Sequence, residues 1–256
     1  MQLATTTYGD EGSPVLMLHG LFGSGRNWMS IARRLAAAPH RVMAADLRNH
    51  GSSPWTSTMT YDQMASDVRD TVVGLGLGPV ALVGHSMGGK TAMLTALRFP
   101  LLVDRLVVAD VAPVRYPQAY GEYVQAMRNA RLTGVRRRAE VDEQMREAVP
   151  SPTTRAFLLQ NLVIDEPRVW WRPNLQVIEH ALDDISGWPD DVTGSYDGPV
   201  LFVFGGKSDY VKAHHHETIQ KLFPRATFAE IPEAGHWVHA ERMEEFLAAI
   251  TPFLGR

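Results

Sequence analysis

Short apolar runs alternate along this chain with longer amphipathic segments, and no other feature narrows its possible folds so far. PVLMLHG (14–20), RVMAADL (41–47), PVALVG (79–84), RLVVADVAPV (105–114), GPVLFVFGG (198–206) and ATFAEIP (226–232) are expected to be strands, the first of them buried. Between them, NWMSIARRLAA (27–37), TYDQMASDVRDTVVGLG (60–76), MGGKTAMLTALRF (87–99), a stretch over 212–222 and AERMEEFLAAITPFL (240–254) are expected to be helices. Thr60 is a suitable N-cap for the second of these, and Gly74 or Gly76 lies near its end. The opening QLATTTYG (2–9) fits an edge strand. Such an order predicts an α/β protein with a mostly parallel, doubly wound sheet covered by helices on both faces. In sheets of this kind the reactive loops gather at the carboxyl ends of the strands.

One region interrupts the alternation. From Tyr116 to Tyr196 the sequence turns helical and strand-poor, and it is too long for a loop in a compact domain. It is expected to be a helical cap (116–196) inserted into a core made of 1–115 and 197–256. The charge run Arg136–Arg138 within it reads as a solvated helix face. A chain of 256 residues suits one such domain with one insertion, and 45% hydrophobic with 21% charged residues is the balance of an ordinary globule. A formal net charge of −3 argues against nucleic acid or an anionic membrane as partner. No apolar run approaches the roughly 18 residues of a membrane span, and the first residues lack the pattern of a signal peptide. Cysteine is absent, which excludes disulfides and thiolate metal sites. A cytoplasmic protein is the expectation.

The strand at 79–84 runs straight into HSMGG and then a helix. Strand, G-x-S-x-G, helix is the arrangement of a nucleophile elbow. The chain must turn sharply at Ser86, and side chains two residues to either side would collide, which accounts for Gly84 and Gly88. The turn lifts the Ser86 hydroxyl above the sheet and aims the Met87 N–H where an oxyanion would form.

A serine hydroxyl needs a base to become a nucleophile. Of ten histidines, His236 in EAGHWVHAE (233–241) lies in the loop after the last strand and before the last helix, where a base belongs in the order Ser…acid…His. Gly235 frees its backbone, and His239 competes from three residues on. His85 fits packing at the elbow, and the triplet His214–His216 fits a helix surface, since adjacent helical residues cannot share one face. Two aspartates follow suitable strands: Asp110, and Asp209 with Ser208 adjacent. Chain order does not choose between them as the acid that would hold the imidazole in its working tautomer. A second oxyanion donor is expected from the loop HGLFGSGRNW (19–28), from the Leu21 N–H or else that of Phe22. That loop lacks the spacing of a phosphate-binding loop.

LHGLFGS, DLRNHGSSP, GHSMGGKTAM, DVAPV and AGHWVHAE together resemble the α/β-hydrolase superfamily, and within it the YbfF-type bacterial esterases, relatives of the mitochondrial abhydrolase-domain-containing 11 proteins. The resemblance runs from about Leu18 to the C-terminus and is weakest across the cap. It implies the α/β-hydrolase fold with a helical cap, and hydrolysis of short-chain carboxylic esters, acyl thioesters included, by a Ser-His-Asp triad without metal or organic cofactor. It further implies Asp110 as the acid, with a serine, here Ser208, in the other acidic slot; Asp209 directly beside it stays the alternative. The partner is then a small-molecule ester or thioester. Phe22 and the cap aromatics Tyr116, Phe157, Trp170, Trp171 and Trp188 are candidates to line its site, most of the cap residues being expected simply to pack.

The same elbow and base would also suit carbon–carbon bond hydrolysis, a lyase step or cofactor-free perhydrolysis, and the fold can serve as a non-catalytic small-molecule receptor.

Overall fold

The structure is a computed structural model that describes residues 1–255. Its central sheet is built from β1 (Thr5–Tyr8), β2 (Ser13–Leu18), β3 (His40–Ala45), β4 (Val80–His85), β5 (Val103–Ala109), β8 (Val200–Gly205) and β9 (Ala226–Ile231), in the spatial order β1-β3-β2-β4-β5-β8-β9. All neighbours are parallel except β1, which pairs antiparallel with β3 at the edge.

The apolar runs alternate in direction. Leu16 and Leu18 of β2 enter one core with Leu82, Leu106, Val108 and Phe202, while Val15 and Met17 enter the other with Val83, Val107 and Val203. Both faces therefore need helices, which is why the runs are continuously apolar. The second core is covered by α1 (Met29–Ala36) and α11 (Met243–Leu254), through residues such as Ile31, Leu35, Phe246 and Ile250. The first is covered by α2 (Tyr61–Gly74), α3 (Met87–Arg98) and α9 (His216–Leu222). Thr60 caps α2 by accepting from the Gln63 amide, with Gln63 returning a bond to the Thr60 amide.

Several boundaries shift from the sequence expectation for local reasons. β5 stops at Ala109 rather than running to 114, because Asp110 takes φ 50° and turns the chain out of the sheet. The C-terminal helix is split: a short turn α10 (Val238–Glu241) is separated from α11 by Arg242 at φ −135°.

Between β5 and β8 the chain forms α4 (Gly121–Asn129), α5 (Arg138–Met145), α6 (Pro152–Leu159), α7 (Leu175–His180) and α8 (Leu182–Ser186). This stretch is not strand-poor throughout, as the sequence suggested. β6 (Leu162–Asp165) and β7 (Arg168–Trp171) pair antiparallel as a hairpin, their β-branched and aromatic residues outweighing the helical surroundings. Polar bonds fasten the segment to the sheet side. Asn161 Nδ2 donates to Phe22 O at 2.7 Å, Tyr61 Oη donates to Ile185 O at 2.7 Å, and the Asn174 amide donates to Asn49 O at 2.9 Å. The buried Lys90 ammonium donates to Ser186 O at 3.1 Å and Gly187 O at 2.5 Å, and burial pushes its pKa down to about 7. Among the described residues no helix is long and apolar enough to cross a membrane.

Candidate active site

The carboxyl ends of β2, β4, β5, β8 and β9 converge, and the polar residues that follow them meet there. Ser86 follows β4 at φ 53° and ψ −119°, a conformation that L-residues rarely hold unless the surroundings impose it. Its amide is tied to Ala109 O at 3.1 Å, and α3 begins at the next residue. The flanking glycines are steric requirements. A Cβ on Gly84 would lie 2.2 Å from Gly88 O, and one on Gly88 would lie 2.4 Å from Leu18 O.

His236 comes from the loop after β9. Its Nε2 is 3.1 Å from Ser86 Oγ, and its Nδ1 is 2.7 Å from Asp110 Oδ2. An ionised carboxylate only accepts, so Nδ1 carries the proton and Nε2 is left to accept from the serine hydroxyl. Glu241 holds this loop from outside, accepting from the Gly235 amide at 2.7 Å and the Trp237 amide at 3.3 Å on either side of the histidine. Asp110 is fully buried, and its other donors are the Gly205 amide at 3.0 Å and Ser208 Oγ at 2.5 Å. Asp209 lies elsewhere: its side chain is 96% exposed and pairs with Lys212 at 3.1 Å.

The amides of Leu21 and Met87 have no hydrogen-bond partner among the described residues, and both residues border a small space beside Ser86. The Phe22 amide is engaged, donating to His50 Nε2 at 3.2 Å. His50 in turn donates from Nδ1 to Arg48 O at 3.0 Å. His19 repeats the device, with Nδ1 donating to Gly20 O at 2.8 Å and Nε2 accepting from the Leu47 amide at 2.9 Å. These two imidazoles shape the loop that carries the Leu21 amide, and each does so only while neutral. Burial lowers the pKa of His19 and, helped by the neighbouring His19 ring, brings His50 to about 3. Sequence reasoning overlooked both. Their signal was a histidine beside a glycine in the loop that follows a strand, in LHG and in RNHG.

The pH dependence follows in sign. His50 titrates near its ordinary value of about 6.5 when unfolded but near about 3 when folded, so in that window the unfolded chain binds more protons. Stability is complete above about pH 6.5 and falls with further acidification, by up to about 1.4 kcal/mol per pH unit for each such group. His239, brought by burial to about 3, acts in the same direction. The thermal midpoint is expected to drop steadily from neutral pH toward pH ~4. In His50→Gln, which keeps an acceptor for the Phe22 amide but gains no proton, part of that slope should vanish; an unchanged slope would remove His50 from the account.

Above Ser86 opens a cavity of about 540 Å³, bordered by Leu21, His85 and His236 from the sheet side and by Tyr120, Tyr123 and Phe157 from the 116–196 segment. Residues 13–242 match the family described as alpha/beta hydrolase fold. The chain belongs to the α/β-hydrolase fold family. It is 42% identical over 254 residues to a Mus musculus protein named sn-1-specific diacylglycerol lipase ABHD11, a match spanning 96% of this chain and 82% of the mouse protein. It is 36% identical over 246 residues to Esterase YbfF of Escherichia coli, spanning 95% of this chain and 94% of that protein. A solved structure titled Marine microorganism esterase superposes with a TM-score of 0.94 at 34% identity, covering 98% of this chain and 99% of that one. The α/β hydrolase described here is thus an enzyme of the esterase and lipase kind.

Of the aromatics singled out from the sequence, Phe157 borders the cavity of this α/β hydrolase, its ring 6.0 Å from that of Trp237. Tyr116 borders only the small space next to Ser86, donating its hydroxyl to Tyr210 O. Phe22 is buried edge-on to Tyr120. Trp170, Trp171 and Trp188 lie off the cavity: Trp171 is buried and donates to Met127 O at 2.7 Å, Trp188 packs near Tyr61, and Trp170 is exposed beneath Arg168. Tyr120 and Tyr123, three residues apart at the start of α4, were passed over in the sequence. His85 donates from Nε2 to His236 O at 2.8 Å, and His239 is buried with its ring tilted against those of His85 and Trp28, so it does not reach Ser86 as a rival base. In the histidine triplet, His215 accepts from the Lys212 amide and His216 stacks on Phe228.

Proposed function

We propose that this enzyme hydrolyses short-chain carboxylic esters, and acyl thioesters of the same acyl length, through an acyl-enzyme on Ser86. His236 serves as the base, Asp110 as the acid that orients it, and the Leu21 and Met87 amides as the oxyanion donors. The observation that carries this reading is the unbroken chain Ser86 Oγ–His236–Asp110, at 3.1 Å and 2.7 Å, opening into the 540 Å³ cavity.

The steps balance with water as the sole co-reactant. Ser86 Oγ attacks the carbonyl carbon while its proton passes to His236 Nε2, and the carbonyl oxygen becomes an oxyanion facing the two free amides. Collapse breaks the bond to the leaving oxygen or sulfur, which departs with the proton held on Nε2. Water then enters, gives a proton to Nε2 and attacks the acyl carbon; collapse of that second intermediate returns the proton to Ser86 Oγ and frees the acid. Asp110 keeps its negative charge throughout, and its buried position strengthens its pull on the imidazolium.

Residues 116–196 act as the cap. Beside Met87 and Leu21, and closed over by Tyr116, Ile185 and Ser186, the open space is only about 20 Å³, which favours a short acyl chain on that side. The larger cavity, within the size range of small-ligand pockets, is left for the leaving group.

The test is kcat/KM over p-nitrophenyl esters from acetyl to palmitoyl, with the matching acyl-CoA thioesters as competitors. An optimum among the shortest acyl groups, with short acyl thioesters competing best, is the expected result. A rate that climbs steadily to palmitoyl would reject the short-chain assignment, and no turnover on any member would reject the esterase reading.

A further inference from the structure

The imidazole of His236 lies face to face with the phenol ring of Tyr210, centroids 3.9 Å apart and planes inclined by 20°. The other rings beside it are tilted and more distant, His85 at 4.7 Å and 45° and Trp237 at 5.9 Å and 57°. Tyr210 is itself held at three points. Its amide donates to Ser208 Oγ at 3.2 Å, the same hydroxyl that donates to Asp110. Its carbonyl accepts the Tyr116 hydroxyl at 2.5 Å, and its own hydroxyl shares a 2.8 Å bond with that of Tyr120. A surface tyrosine resting by chance on a histidine would not be fixed at amide, carbonyl and hydroxyl together.

We propose that Tyr210 is a positioning residue of the reaction, its ring holding the His236 imidazole in the line from Asp110 to Ser86 and its π face stabilising the imidazolium formed when Ser86 gives up its proton. This rests on the triad reading above. An aromatic face attracts a cation lying within about 6 Å of its centroid. His85 adds no competing positive charge, since burial and the neighbouring histidines keep its pKa well below the ordinary range. The attraction arises only as charge develops on the imidazole, so it lowers the barrier without tightening substrate binding and belongs in kcat rather than KM.

The experiment compares Tyr210→Phe, Tyr210→Leu and a series in which position 210 carries phenylalanines with progressively fluorinated rings, which keep the shape while draining charge from the face. Tyr210→Phe is expected to keep most of kcat. Tyr210→Leu should lose about 5- to 30-fold in kcat with little change in KM, and kcat should fall stepwise along the fluorinated series. A flat fluorinated series, or a loss confined to KM, overturns the proposal. Should Tyr210→Leu not fold, the fluorinated series decides, because the ring stays in place. Ser86→Ala is assayed alongside: if it loses nearly all activity and the series is flat, only the role of Tyr210 is rejected, whereas turnover by Ser86→Ala near the parent rate rejects the triad reading and this proposal with it.

Discussion

Ser86→Ala is expected to lower kcat on p-nitrophenyl acetate by about 10⁵- to 10⁶-fold while leaving the thermal midpoint close to that of the parent enzyme. The two halves of this expectation have separate grounds. Ser86 Oγ bonds to His236, a partner within the site, so little of the fold depends on it. Alanine inherits the same positive φ, so the strain of the elbow is unchanged rather than released. The chemistry, in contrast, starts from the one hydroxyl that, among the described residues, is hydrogen-bonded to His236 Nε2. Residual turnover in the variant would come from the proposed oxyanion donors and the cavity acting on water alone. A fluorophosphonate reports the same event covalently. In the parent enzyme Ser86 Oγ bonds to phosphorus and fluoride leaves, giving one mass increment that Ser86→Ala must lack. A variant that keeps its rate, or labels as fast as the parent, would remove Ser86 from the mechanism. A folded parent that resists the label would instead favour a receptor built on this fold.

How far the sequence foretold the structure depended on how local each cause was. The strands were visible because a segment such as PVLML must bury both faces, and Leu16 and Val15 do enter opposite cores. The elbow was visible because its motif spans five residues: a Cβ on Gly84 would strike the Gly88 backbone, although what holds position 88 to glycine is the distant backbone of Leu18 and His19. The hairpin at Leu162–Trp171 was hidden because two strands of four residues give too little alternation to outweigh a helical neighbourhood. Which aromatics would face the cavity was hidden for a different reason. Tyr120, Tyr123 and Phe157 reach it, and Trp171 does not, because of how α4, α6 and β7 pack on one another, a relation between distant segments. The roles of His19 and His50 were hidden in the same way, since each ring bonds an amide 28 residues away.

The two aspartates are the sharpest case of that limit, and they carry the second large prediction. Both follow neighbouring parallel strands at their carboxyl ends, yet β5 ends one residue before Asp110, whose φ of 50° swings its carboxylate beneath His236, while Asp209 comes four residues after the end of β8 with its side chain in solvent. Asp110→Asn is expected to lower kcat by about 10⁴-fold, the scale seen when a triad loses the charge that fixes its tautomer. Asparagine suits the comparison because it tolerates positive φ better than most residues, so the backbone can stay in place. It cannot keep the bonding. Gly205 N–H, Ser208 Oγ and His236 Nδ1 all approach the two carboxylate oxygens, and an amide must turn a donor toward at least one of them. The least costly relief is for the imidazole to move its proton to Nε2, where it can no longer accept from Ser86. Asp209→Asn removes only an exposed pair with Lys212, of the kind worth about 0–1 kcal/mol, and is expected to keep kcat within about twofold. Thermal midpoints of both variants separate lost chemistry from lost folding. A 10⁴-fold loss in Asp209→Asn alone would reassign the acid, and full activity in both would mean that His236 works without one.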